Sequence, residues 1–365
     1  MKHKKKIIIQ ILALISFAYI GFASVQDEDG EKTASFNVQK GGKLEVKVDY
    51  GGVTIIPWDK NEVFVRAAGF DEDELEQIKI KGDKNHVTVK LLDEDSHGGD
   101  GYFEINVPSE FDVGFSTGGG NIEIKGDLKG SVDGSSGGGN IILKNIMNGH
   151  LNLSTGGGDI RAGSIGGDVT LSTGGGNIDI DDIIGDVKAS TGGGNITLGK
   201  ANGVADISTG GGNINLDGAG GDVRLSTGGG NIDVKNISGK VRVSTGGGTV
   251  DLREITGAIT ASTGGGDITA ELISSGKGDS KLSTGGGDIK LYVSEKVKAT
   301  VEATIEIHRK WSKNIKKYKI VSDFKTDSYE EDKDEEEVRG IYLINGGGDK
   351  IRLSTSNSNI KILKK

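Results

Sequence analysis

The chain has 365 residues and a formal net charge of −9, with 63 glycines against two prolines and no cysteine. This glycine content, without a Gly-X-Y period or abundant proline, excludes a collagen-like helix, and the lack of cysteine excludes disulfides. Aromatic residues make up only 5% of the chain, which argues against a thick globular core and favours thin, stacked aliphatic layers.

Residues 1–23 have the pattern of a secretory signal peptide. Four lysines precede an almost wholly apolar run from Ile7 to Ala23. Gly21 and Ala23 are small residues at the spacing that a signal peptidase recognises, so we expect cleavage after Ala23. An uncleaved membrane anchor is the alternative, because the run is long enough to cross a thin bilayer. No second run of this kind occurs, so no other membrane span is expected.

Loss of this segment would make the mature protein more acidic. The segment holds four lysines and no acidic residue, so its removal takes the formal charge from −9 to −13. A protein of that charge is repelled by nucleic acid phosphates and by anionic lipid. The signal peptide therefore predicts an extracytoplasmic protein, and the negative charge predicts that it does not bind nucleic acid.

Residues 24–112 alternate apolar and polar residues in several short runs, a period of two that predicts strands with one buried face. We expect them to form a β-rich cap that covers the open end of the repeats which follow. The alternating runs are Lys43–Val48, Val63–Arg66, His86–Leu91 and Phe103–Val107. The aromatic residues predicted to fill this cap are Tyr50, Trp58, Phe64 and Phe103.

Residues 113–292 repeat one pattern, Ser-Thr-Gly-Gly-Gly-Asn-Ile or a close variant, at a nearly constant step. Six consecutive steps are 18 residues long, after two of 19 and before one of 21. A fixed period of this length is the signature of a solenoid. The copies begin at Ser116, Ser135, Ser154, Ser172, Ser190, Ser208, Ser226, Ser244, Ser262 and Ser283.

One copy, residues 222–240, shows how a coil would form. Two short alternating runs flank three glycines, whose backbone is expected to turn through positive φ angles. We predict an all-β, parallel β-helix-like solenoid of about ten 18-residue coils, stacked about 4.8 Å apart. The side chains predicted to point inward are Val223, Leu225, Ile232, Val234 and Ile237.

Stacking would also align the residue that follows each glycine triplet. Amide and carboxylate side chains in register can hydrogen-bond along the stack, so we predict a structural ladder beside the turn. Its members are Asn121, Asn140, Asp159, Asn177, Asn195, Asn213 and Asn231.

Residues 293–365 depart from the repeat and then return to it. The β-prone run Val297–Ile307 is followed by a basic stretch, His308–Lys319, and by the acidic segment Asp327–Glu337, which is predicted to be a solvated loop. A glycine triplet at 346–348 then precedes more aliphatic alternation, so we predict a final coil and a second cap. Its inward residues are Ile351, Leu353, Ile360 and Ile362.

Three of these features resemble a large bacterial family of putative adhesins, a domain of unknown function in secreted or surface-linked proteins. They are Phe103-Glu-Ile-Asn-Val-Pro108, the recurring Ser-Thr-Gly-Gly-Gly-Asn-Ile, and Asn345-Gly-Gly-Gly-Asp349 with Ile360-Lys-Ile362. The resemblance covers about residues 35–363. It implies a β-solenoid outside the cytoplasm. No functional residues are defined for the family that could be assigned to positions in this sequence.

The glycine triplet does not match known ligand-binding loops. A phosphate-binding loop needs Gly-Lys-Ser/Thr and a following helix, which are absent. A calcium β-roll needs Gly-Gly-x-Gly-x-Asp in each half-coil, whereas Asn mostly follows the glycines here. Weak calcium sites at Asp159, Asp267 and Asp288 are left open, and no cofactor is expected.

No catalytic residues are predicted. The five histidines are far apart in sequence, and the acidic group of Asp179, Asp181 and Asp182 is predicted to be a solvated face. An ice-binding face needs paired threonines, whereas adjacent Ser116 and Thr117 point to opposite faces.

The sequence therefore predicts an exported, non-enzymatic structural or surface-binding protein that presents a rigid repetitive face. Its expected partner is polysaccharide, a cell-envelope component or another copy of itself. One alternative is a polysaccharide-active solenoid enzyme with its site near Trp58 or Trp311, and another is a calcium-binding β-roll.

Overall fold

Strands make up 59% of the protein, which confirms the predicted all-β class. The structure, a computed structural model, describes residues 24–28, 30–92, 100–274, 277–308, 318–332 and 336–365. The signal peptide expected at residues 1–23, the residue Trp311 and most of the basic stretch lie outside these ranges. Within them the only helix is α1 (Glu72–Gln77), and no helix is long and apolar enough to cross a bilayer.

The region before the first repeat is built from strands, as predicted. Phe103 is fully buried and Tyr50 nearly so, but Trp58 and Phe64 are only half-buried, so their predicted place in the core is wrong. Phe64 lies between buried Val63 and Val65, and its side chain therefore faces outward. The strands are β1 (Ser24–Glu28), β2 (Glu31–Asn37), β3 (Gly42–Val48), β4 (Gly52–Trp58), β5 (Glu62–Ala68), β6 (Lys79–Gly82), β7 (His86–Leu91) and β8 (Tyr102–Pro108).

Each copy of the repeat forms two strands, one ending at its Ser-Thr pair and one beginning after its glycines. In chain order the strands are β9 (Phe111–Thr117), β10 (Ile122–Ile124), β11 (Val132–Ser136), β12 (Ile141–Leu143), β13 (Leu151–Thr155), β14 (Ile160–Ala162), β15 (Val169–Thr173), β16 (Ile178–Ile180), β17 (Val187–Thr191), β18 (Ile196–Ala201), β19 (Ala205–Thr209), β20 (Ile214–Ala219), β21 (Val223–Thr227), β22 (Ile232–Ile237), β23 (Val241–Thr245), β24 (Val250–Ile255), β25 (Ile259–Thr263), β26 (Ile268–Leu272), β27 (Ser280–Thr284) and β28 (Ile289–Val293).

Equivalent strands stack in parallel and in register, which confirms the solenoid-like fold. From β9 to β27 each odd-numbered strand pairs with the next odd-numbered strand, and the even-numbered strands from β10 to β28 do the same. Ser226, for example, pairs with Ser244, one repeat further on. The aliphatic side chains therefore form a continuous core column. The inward residues predicted from one copy are each at most 2% exposed: Val223, Leu225, Ile232, Val234 and Ile237.

The glycine triplets serve close packing between coils rather than a left-handed turn. None of their φ angles is positive in the repeats, so that prediction is wrong. In the triplet 228–230, a Cβ on Gly228 would lie 2.2 Å from the carbonyl oxygen of Gly210, and one on Gly230 would lie 2.0 Å from that of Gly212. A Cβ on the middle residue, Gly229, would meet nothing within 4 Å. The first and third glycines are thus required because neighbouring coils approach there.

A column of buried hydroxyls holds these glycine turns in place. The Thr227 hydroxyl donates to the Gly212 carbonyl of the preceding coil at 2.8 Å and accepts from the Gly230 N–H at 3.2 Å. Thr227 is 6% exposed, and the equivalent residue is buried in every copy. The hydroxyl therefore joins adjacent coils and also stabilises its own turn.

After the repeats, the chain forms a further set of strands. Residues 328–332 of the segment predicted to be an acidic loop instead form an edge strand, because their backbone pairs antiparallel with residues 337–341 while the side chains stay in solvent. The four aliphatic side chains predicted to point inward in the last coil are at most 1% exposed, which confirms their inward position. The strands are β29 (Ala299–Glu306), β30 (Ile320–Ser322), β31 (Ser328–Asp332), β32 (Glu337–Ile344), β33 (Asp349–Ser356) and β34 (Ile360–Lys364).

At both ends one coil is stacked out of chain order. The β3–β4 pair lies between β7–β8 and β9–β10, with parallel pairing on both sides. The β33–β34 pair likewise lies between β27–β28 and the strands β29 and β30. Beyond these coils the pairing becomes antiparallel, through β5 and β6 at one end and β32 at the other.

Candidate functional surface

The outer face of the odd-numbered strands carries two columns of side chains along the solenoid. One is the serine of each repeat and the other is a position that varies from copy to copy. Ser116 is exposed whereas Thr117 is 5% exposed, which confirms that the two residues face opposite sides. In two neighbouring pairs the serines lie within weak hydrogen-bond reach, for example with 3.4 Å between the Oγ atoms of Ser135 and Ser116. The face is thus polar and regular.

The side chains predicted to form a ladder hydrogen-bond from coil to coil, mainly to the backbone of the next coil. Each side-chain Oδ1 accepts from the backbone N–H of the equivalent residue one coil further on, as Asn213 does from Asn231 at 2.8 Å. The series ends where Asn231 accepts from the Thr249 N–H. The same bond joins Asn121, Asn140, Asp159, Asn177, Asn195, Asn213 and Asn231 in sequence.

The aspartates considered as weak calcium sites belong to the same kind of bonding. Asp267 Oδ1 accepts from the Asp288 N–H, and Asp288 Oδ1 accepts from the Asn359 N–H, each at 2.8 Å. Asp159 accepts from the Asn177 N–H and also pairs with Arg161 at 2.7 Å. In the described part of the chain, no group of three or more His, Asp and Glu side chains could hold a metal ion.

The residues considered for catalysis are dispersed. Asp179 points outward from β16, and Asp182 accepts from the Lys200 N–H at 2.8 Å. The Trp58 indole donates to the Glu62 carbonyl oxygen at 2.8 Å, and the Lys60 ammonium lies 4.3 Å from its ring centroid. Trp58 is therefore engaged by the residues that connect β4 to β5.

Charges on the outer face of the even-numbered strands largely compensate one another. Arg253 lies 2.5 Å from Asp233 and 3.2 Å from Asp251, and Lys235 lies 3.1 Å from Asp217. The hydrogen bond with Asp251, aided by the charge of both carboxylates, raises the pKa of the Arg253 guanidinium. These charged side chains therefore compensate one another within the face.

Comparisons with known proteins give structural neighbours only. No protein-family model matches the chain, and no curated protein matches it. The chain is similar to a solved structure from Bacteroides fragilis described as a putative adhesin, at 12% identity and a TM-score of 0.29, covering 93% of this chain and 98% of that one. A second putative adhesin, from Parabacteroides merdae, shows 13% identity, a TM-score of 0.32 and coverage of 73% and 93%.

A structure from Parabacteroides distasonis described as a putative lipid binding protein shows 9% identity, a TM-score of 0.25 and coverage of 91% and 96%. Two of these solved structures are thus described by the name of the family that the sequence motifs resemble.

Proposed function

We propose that this chain is an exported, non-enzymatic surface-binding protein whose rod-like solenoid presents a regular face to an extended polymer. In this proposal residues 113–292 form about ten 18-residue coils. Residues 24–112 and 293–365 cap the two ends, because their antiparallel strands replace parallel edges that would otherwise pair with other molecules.

The observation that carries the proposal is the register of the outer serine and variable columns. Equivalent side chains recur at every coil, about 4.8 Å apart, on a scaffold whose core is filled and whose strands are paired on both sides. A polymer with repeating hydroxyl groups can meet such a series of hydrogen-bonding groups at several coils at once. Polysaccharide is therefore the proposed partner, with another cell-envelope component or a second copy as alternatives.

Binding without catalysis follows from the same regularity. A polysaccharide-active solenoid enzyme needs two carboxylates facing each other across a cleft at roughly 5–10 Å, usually built by long loops. Six consecutive steps of 18 residues leave no room for such loops over that stretch. The sequence resemblance to surface-linked bacterial proteins supports the same assignment.

The test is a binding array of glycans and purified cell-wall fragments, probed with the mature protein. We expect binding that strengthens with polymer length, because longer chains contact more coils, and no new reducing ends after incubation. The release of shortened products would favour the enzyme. No binding to any polymer would contradict the proposal. A change in the protein's circular dichroism spectrum after calcium is removed with a chelator would favour the calcium alternative.

A further inference from the structure

A groove of about 530 Å³ opens on the outer face of the odd-numbered strands, beside the longest step of the repeat. The copies at Ser262 and Ser283 are 21 residues apart instead of 18, and residues 277–279 form one wall of the groove. This wall is anchored to the next coil. The Gly278 N–H donates to Asp349 at 3.1 Å, and Asp279 accepts from the Lys350 N–H at 3.0 Å.

Two arginines from adjacent coils line the groove. Arg224 on β21 and Arg242 on β23 are direct register partners, so their backbones are about 4.8 Å apart, and both side chains are exposed. Like charges placed directly opposite each other on neighbouring strands destabilise a sheet. An anion between the two guanidinium groups would remove that cost.

These two arginines differ from the other arginines that the structure describes. Seven arginines are described, and five of them pair with a carboxylate. Arg224 and Arg242 have no hydrogen-bond or ion-pair partner for their side chains among the described residues. Asp206 is the register partner of Arg224 on its other side, and Lys240 and Lys277 also line the groove. The groove thus has four cationic side chains against three carboxylates, and its two adjacent guanidinium groups, without a hydrogen-bonded carboxylate, suit an external anion. The paired arginines are Arg66, Arg161, Arg253, Arg339 and Arg352.

The rest of the lining selects the kind of anion. Asp206 and Asp222 lie on the same groove, with the hydroxyl of Thr260. Carboxylates repel a small, multiply charged anion such as phosphate, but they accept hydrogen bonds from sugar hydroxyls. Val204, 45% exposed at the rim, offers an aliphatic surface to a sugar ring. The volume also falls within the range of small-molecule sites.

We infer that this groove binds a carboxylate-bearing sugar of an acidic polysaccharide. Arg224 and Arg242 donate to the carboxylate oxygens, for which the planar guanidinium is well matched. Asp206 and Thr260 face the hydroxyl groups of the same sugar. The inference rests on the proposed function, since it names the class of polymer that the outer face would bind.

The experiment measures binding of a short oligogalacturonate to the full chain by calorimetry. Its neutral methyl ester and inorganic phosphate serve as separate probes. We expect R224Q and R242Q each to weaken oligogalacturonate binding about tenfold, the loss typical of one hydrogen bond to a charged group. Arg253, the paired arginine on the other face, supplies the matched control, and R253Q should bind as the unaltered protein does.

Both groove variants are expected to fold, because both arginines lie on the exposed face of their strands, and a thermal unfolding curve checks this. The inference would be overturned if the neutral ester bound as tightly as the acid and if R224Q and R242Q had no effect. The proposed function would remain intact in that case. Equal binding of inorganic phosphate would overturn the sugar-acid assignment. No binding to any glycan would contradict both proposals.

Discussion

At the scale of single residues, the glycines of one triplet have two different roles, although the sequence shows the same residue at each position. A methyl group on Gly230 would meet the backbone carbonyl of Gly212 at 2.0 Å, and that carbonyl cannot move without parting the coils. A methyl group on Gly229 would point into open space, and this residue does not have a positive φ angle. The two positions are adjacent, so they form a matched pair for mutation.

We therefore predict opposite effects of the same substitution. Gly230→Ala should destabilise the protein by about 1–3 kcal/mol or more, as an overpacked core does. Gly229→Ala should be neutral or stabilising by about 0.4–1 kcal/mol, because alanine restricts the unfolded chain. Urea unfolding followed by circular dichroism measures both. Equal destabilisation by the two substitutions would contradict the assignment of the close contact to one glycine.

The sequence shows where glycine is needed but not why. Positive φ was a reasonable expectation for Gly228–Gly230, because glycine alone adopts it freely. The true constraint is the distance to residues 18 positions away, which no local pattern reveals.

The groove on the outer face of the odd-numbered strands is a similar case. The 21-residue step and the 18-residue spacing of Arg224 and Arg242 are both visible in the sequence, but only the register shows that they meet.

At the scale of strands, the alternating pattern predicted the inward faces well. Ile232 and Val234, for example, are at most 1% exposed. Side chains alternate between the two faces of a strand, so once one face is buried, the position of every side chain in the strand is determined. The out-of-order coils at the two ends could not be predicted. The apolar alternation of β3 and β33 resembles that of any neighbour, so it cannot indicate which strand lies beside which.

A charge placed inside the core column tests the strand assignment. Ile232→Asp should cost several kcal/mol, because a buried carboxyl must either be desolvated or become protonated. Thr170→Asp adds the same group on the exposed face of β15, where its register partners are Asn152 and Lys188, and its effect should stay within about 0.5 kcal/mol. Unfolding curves and solubility measure both. A soluble Ile232→Asp protein as stable as the control would contradict the inward position.

At the scale of the whole molecule, stability comes from repetition. Each coil contacts mainly its two neighbours, through backbone pairing, the aliphatic column, the buried hydroxyls and the Oδ1-to-N–H ladder. Such a protein behaves approximately as a sum of coil and interface contributions. A coil can then be removed without loss of the fold, provided that the register of the remaining coils is kept.

Two deletions that differ by one residue test this directly. Removal of residues 172–189 joins Leu171 to Ser190 and restores the pattern Val-x-Leu-Ser-Thr-Gly, so we expect a shorter folded rod. The free energy of unfolding should fall by about 1–3 kcal/mol, which is the usual contribution of 18 residues to the stability of a protein. Removal of residues 172–188 joins Leu171 to Ala189 and leaves one extra residue inside the strand, whereas the native 19-residue steps hold their extra residue in a loop between strands. Because a one-residue slip exchanges the buried and exposed faces of a strand, that variant should aggregate or unfold.

Circular dichroism and small-angle scattering distinguish a shortened rod from an unfolded chain. Equal behaviour of the two deletions would show that the coils do not act as interchangeable units.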